Sequence, residues 1–98
     1  MTDQSLTEIL EVLRGIREEL AEAFSVKRIG VFGSVARGEH TDQSDVDILV
    51  ELAKPTFDHY MDLKFRLEDA LGRPVELVLA DTVKERLRPI IEKEVVYA

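Results

Sequence analysis

Apolar positions recur from Leu6 through Ile9, Leu10, Leu13, Ile16 and Leu20 to Phe24, with charged residues filling most of the gaps. This three-and-four spacing predicts an amphipathic helix, and Ser5 followed by Glu8 predicts a capping box at its start. The segment Arg28 to Phe32 is short, apolar and partly β-branched, and it stops at Gly33. It reads as a buried strand. Ser34 to Arg37 then predicts a short helix that Gly38 closes, and Glu39 to Ser44 a polar loop.

Asp45 to Glu51 reads as a second strand, after which Pro55 breaks the chain. The stripe Phe57, Tyr60, Leu63, Leu67, Ala70 and Leu71 predicts a second amphipathic helix capped by Gly72. Arg73-Pro74 turns the chain into a third strand, Val75 to Leu79. Thr82 with Glu85 predicts another capping box and a last helix, which Pro89 breaks or restarts because proline disfavours helix at Arg88. The apolar tail Val95-Val96-Tyr97 adds a short edge strand or packs on the core. Helices alternating with strands predict an α/β domain on a three-stranded sheet, four-stranded if the tail joins it.

The 98 residues suit one small domain, spanning 1–98, with no internal repeat and no linker. A net charge of -7 argues against sequence-independent nucleic-acid binding, which draws on clustered lysine and arginine. A protein partner, or a small ligand bound together with metal, fits better. With no cysteine there is neither a disulfide nor a thiol nucleophile. No apolar run reaches membrane-spanning length, and Met1-Thr2-Asp3-Gln4 lacks the basic start of a signal peptide, so a cytoplasmic protein is expected.

Candidate chemistry concentrates between Gly33 and Val50. A strand points alternate residues the same way, which sets Asp45 and Asp47 on one face and Val46, Ile48 and Val50 on the other. Two carboxylates so placed repel each other and call for a cation. The pair is either a magnesium site with hard oxygen ligands or an ordinary solvent-facing strand edge. Gly33-Ser34 is either a simple tight turn or a helix start whose free N–H groups and serine hydroxyl hold phosphate. Glu76 alone interrupts the apolar third strand, so it either faces solvent or joins the aspartates as a third carboxylate. Arg37, and Lys27 or Arg28, are candidate phosphate contacts. His40 and His59 have no ligand-spaced partner and read as surface residues.

Together, G-S-x-A-R-G-x5-S-D-x-D-I-L-V and the embedded carboxylate at Glu76 resemble the minimal nucleotidyltransferases of the DNA polymerase beta-like superfamily. The motif match runs from Arg28 to Val50 and continues in order and spacing to the tail RLRPIIEKEVVYA. The resemblance implies a small mixed sheet flanked by helices. It implies that Gly33 and Ser34 bind the nucleotide, which Arg37 is expected to contact as well, and that Asp45, Asp47 and Glu76 are catalytic and hold two magnesium ions. At the third carboxylate the family more often has aspartate, and the extra methylene of Glu76 shifts an oxygen by about an ångström, which can cost on the order of a hundredfold in rate.

Short stand-alone members of that family commonly act as antitoxins beside a helical HEPN-domain toxin, moving AMP from ATP to a toxin tyrosine. The resemblance implies that activity and that partner here, and the acidic charge suits docking on a more basic protein. The competing expectation is a pure binding antitoxin that masks its partner with a vestigial site. A glycosyltransferase reading of D-x-D explains neither Gly33-Ser34 nor so small a domain.

Overall fold

A computed structural model of the chain describes residues 6–39, 45–54 and 56–98. The predicted Ser5 cap, most of the 39–44 loop with His40, and Pro55 lie outside these residues. Helix α1 is Leu6–Phe24 and is followed by strand β1, Val26–Phe32. The five-residue helix α2, Gly33–Arg37, ends on Gly38 at a φ of 75°, the left-handed cap that glycine supplies. Strand β2 is Val46–Leu52, and helix α3, Phe57–Leu71, closes on Gly72 at a φ of 67°. Strand β3 is Val75–Leu79, helix α4 is Arg88–Glu94 and strand β4 is Val96–Tyr97.

The sheet is mixed, in the order β3-β2-β1-β4. Strand β1 runs antiparallel to both β2 and β4, whereas β2 and β3 are parallel. The tail therefore joins the sheet, giving four strands where the apolar runs alone predicted three. Gly30 lets it in, because a Cβ there would lie 2.7 Å from Val95 Cγ2 and 3.0 Å from the Val96 carbonyl.

One face of the sheet carries Ile29, Val31, Val46, Ile48, Val50, Val75 and Leu77, all buried against Ile9, Leu13 and Leu20 of α1 and Leu63, Leu67 and Leu71 of α3. The two helical stripes thus form the core with the alternate residues of the strands. Phe57 departs from the predicted stripe at 75% exposure. It is the first residue of α3, beyond the covering face. The hydroxyl of Thr56 caps that helix, accepting from the His59 N–H at 3.1 Å, a cap not among those expected from the sequence. His59 is half-buried, and its Nδ1 lies 3.0 Å from the Lys54 carbonyl, a tie that closes the turn ahead of α3.

The predicted Thr82–Glu85 capping box does not form. Thr82 ends a short 3-10 turn, Ala80–Thr82, and its hydroxyl donates back to the Leu79 carbonyl at 3.0 Å. Helix α4 begins at Arg88, with Pro89 in its first turn, where a missing N–H costs nothing. Pro89 thus restarts the helix, and the segment before it is left as turns.

Candidate active site

Register brings the candidate residues together. Phe32 at the end of β1 pairs with Asp47 near the start of β2, and Asp47 pairs with Glu76 near the start of β3. Gly33, Asp47 and Glu76 therefore form a row from the start of α2 across β2 to β3 at one end of the sheet, with the two carboxylates on the face away from α1 and α3. Local bonds fix that register. The Val46 N–H donates to the Pro74 carbonyl at 3.0 Å, and the Val75 N–H donates to Glu68 Oε2 at 3.0 Å. From α3 the Tyr60 hydroxyl donates to the Leu77 carbonyl at 2.7 Å, tying the helix to the strand that carries Glu76.

Gly33 is the tightest point of the row. Its φ is 74°, and a Cβ built on it would stand 2.0 Å from Asp47 Oδ2. The backbone at the start of α2 thus lies directly against the aspartate, an approach only glycine permits. Ser34 follows at the first turn of α2, which no side chain caps. Asp45 sits just ahead of β2, exposed, whereas Asp47 is half-buried.

The Asp47 carboxyl is pushed up from its ordinary 3.8 to about 6. Burial is the largest cause, followed by the charge of Glu76, a hydrogen bond shared with Glu76 and the charge of Asp45, with Arg37 alone pulling the other way. Excess negative charge on oxygen ligands is the environment a hard divalent cation suits, so the donor set fits magnesium chemistry. Among the described residues, however, no three acidic or histidine side chains already converge as a finished metal cage. Asp47 and Glu76 are the close pair, and Asp45 acts on Asp47 through its charge.

Of the candidate phosphate contacts, Arg37 belongs to this region. It ion-pairs with Glu39 at 2.8 Å and with Glu94 of α4. Lys27 and Arg28 do not belong to it. They pair with Glu51 at 3.5 and 3.6 Å, and Arg28 lies 4.8 Å from the centre of the Tyr97 ring. Glu51 is four residues along β2 from Asp47, about 13 Å at strand rise.

Beside the row lies a cleft of about 330 Å³. Asp47 and Glu76 form part of its lining, with Val83, Lys84, Leu87 and Ile91 facing them from the β3–α4 connection and α4. A larger hollow of about 390 Å³, between Arg17, Lys27, Arg28 and Tyr97, contains none of Asp45, Asp47 and Glu76. The smaller cleft is the one beside the chemistry. Its far wall was missed in the sequence, although Val83, Leu87 and Ile91 recur every four residues across Pro89.

A family model for the nucleotidyltransferase domain matches residues 13–98. The chain belongs to the minimal nucleotidyltransferase family. It is a nucleotidyltransferase by that membership. Protein adenylyltransferase MntA of Thermococcus cleftensis is 42% identical over 94 residues, 95% of each chain. A solved structure assigned to the minimal nucleotidyltransferases is 37% identical, with a TM-score of 0.71, and the match covers 89% of this chain and 93% of that one. The fold also matches a complex of tri-AMPylated Shewanella oneidensis HEPN toxin with MNT antitoxin at a TM-score of 0.63 and 20% identity, over 90% of this chain and 70% of that one. Among the described residues of this nucleotidyltransferase, no helix is long and apolar enough to cross a membrane.

Proposed function

We propose that this nucleotidyltransferase, acting as one domain over residues 1–98 in the cytoplasm, transfers AMP from ATP to a tyrosine hydroxyl of a HEPN-domain toxin and so serves as its antitoxin. The observation that supports this most is the pairing of Asp47 with Glu76 in register on adjacent strands, with Gly33 at the start of α2 lying directly against Asp47. The named activity of the Thermococcus relative and the AMPylated toxin in the Shewanella complex point the same way.

In this reading Ser34 and the N–H groups after Gly33 bind the outer phosphates, and Arg37 exchanges a carboxylate partner for a phosphate oxygen. Asp45, Asp47 and Glu76 would hold two magnesium ions, which would neutralise the triphosphate and lower the pKa of the attacking hydroxyl. The phenolic oxygen bonds to the α-phosphorus as the bond to the α–β bridging oxygen breaks. Pyrophosphate leaves with the electron pair, and the phenolic proton passes through the site to water. No direct contact with nucleic acid is involved.

Two observations favour a second reading, a binding antitoxin that masks its partner without chemistry. No three carboxylates are already gathered among the described residues, and Arg37 is engaged by Glu39 and Glu94. Co-expression of the toxin with the Asp45→Ala/Asp47→Ala variant separates the two. The enzymatic reading expects neutralisation to fail while the proteins still bind. Full neutralisation by the double variant would favour masking.

A further inference from the structure

In-line transfer sets the direction from which the acceptor must come. The attacking oxygen, the α-phosphorus and the leaving oxygen are collinear, so the acceptor enters opposite the outer phosphates. In the sheet order, α2 follows the end of β1, Asp47 lies one strand over and Glu76 one strand further. Strands are about 4.8 Å apart, so the row spans about 10 Å. If the outer phosphates sit at α2 and the α-phosphorus over Asp47, the attacking oxygen falls at Glu76.

At Glu76 the protein has a cleft of about 330 Å³, near the lower end of the range for ligand pockets. Its far wall is apolar, from Val83, Leu87 and Ile91. Leu87 keeps 41% of its surface exposed although it is a large apolar side chain. Such a wall gains by covering a flat ring and gains almost nothing from a serine or threonine side chain. Lys84 lines the same cleft and forms no ion pair with a described residue.

We propose that the cleft between Glu76 and α4 is the subsite for the aromatic ring of the acceptor tyrosine, with Val83, Leu87 and Ile91 selecting the ring and Lys84 facing its oxygen. This rests on the adenylyltransferase reading above, and it adds the residues that choose a phenol over an aliphatic hydroxyl. The apolar wall and the position of Glu76 in the row carry it. Adenine is the other flat ring that the wall can cover.

The test measures transfer from α-labelled ATP to a HEPN-domain toxin that binds this chain, with the wild type and Leu87→Ser, varying ATP and acceptor separately. Leu87→Ser is expected to raise the acceptor KM about tenfold, the scale of a few lost methylenes in an apolar pocket, and to leave the ATP KM unchanged. A rise in the ATP KM instead would assign the cleft to adenine and overturn the proposal, as would no change in either. Methyl NMR of the wild type supplies an independent readout that needs neither the variant nor turnover. N-acetyltyrosinamide, and not N-acetylserinamide, is expected to shift the Leu87 and Ile91 methyl signals saturably. No transfer by the wild type together with those shifts would defeat the adenylyltransferase reading and leave the ring subsite standing. Absence of the shifts would defeat the subsite itself.

Discussion

Gly33 meets two demands at once, a φ of 74° and the contact that a Cβ would make 2.0 Å from Asp47 Oδ2. Gly33→Ala forces either the backbone or the aspartate to move by an ångström or more. Displacement on that scale is expected to cut transfer on the order of a hundredfold while the protein still folds, read by initial rates beside a melting curve. Asp47 makes a second prediction, in stability. Its folded pKa, about 6, lies above the ordinary 3.8, so the folded state holds more protons than the unfolded one between these values. The stability cost of ionising Asp47 is therefore absent below pH 3.8 and complete above pH 6. Asp47→Asn is expected to stabilise the fold at pH 7.5 by about 1 kcal/mol once solvent screening of a half-exposed group is allowed for, read as a higher Tm, and to give no gain at pH 3.5. A gain of equal size at both pH values would remove the electrostatic explanation.

Among the elements, β4 depends on Gly30 more than on its own two residues. Gly30→Val is expected to expel the tail from the sheet, since even a Cβ meets Val95 and the Val96 carbonyl at 2.7 and 3.0 Å. Hydrogen exchange of the Ala98 N–H, which donates to the Ile29 carbonyl at 2.9 Å, would report the loss. The same element shows where sequence reading stops. Periodicity located α1, α3 and β3 because their apolar faces repeat over enough residues to be unambiguous. It left the tail as either strand or packing, because two residues carry no period and the choice rests on a glycine nearly seventy positions earlier. Thr82 and Glu85 had the spacing of a cap but not the helix, because the turn hydrogen bonds of the chain ahead of Pro89 took the threonine hydroxyl. Asp45, Asp47 and Glu76 stood out as charge in apolar runs, whereas Val83, Leu87 and Ile91 carry neither charge nor motif and become a wall only where the fold sets them across the cleft from Glu76. Lys27 and Arg28 were indistinguishable by sequence from any other cation near the glycine turn. Only the antiparallel register shows that they lie at the far end of β2.

Across the whole molecule, α1 and α3 cover one face of the sheet, and the carboxylates lie on the other, at its end. Helices α1 and α3 bury every second strand residue, and of the residues between them Leu49 is also buried whereas Asp47 is half-buried and Glu76 exposed. The sheet then fixes their spacing more rigidly than a loop could, which is the preorganisation in-line transfer needs. A ligand that relieves the repulsion between the carboxylates binds the folded chain and not the unfolded one, so it raises the Tm. Magnesium is expected to stabilise the wild type at pH 7.5 and to leave Asp45→Ala/Asp47→Ala unchanged. Equal stabilisation of both would place the cation elsewhere.

In the proposed reaction the carboxylate row moves AMP onto a partner protein. Incubation of that partner with α-labelled ATP, magnesium and this chain, wild type or Asp45→Ala/Asp47→Ala, tests it most directly. Label on a partner tyrosine with the wild type, lost in the double variant, is the predicted result. Tight binding of the two wild-type proteins with no label from any nucleoside triphosphate would contradict it.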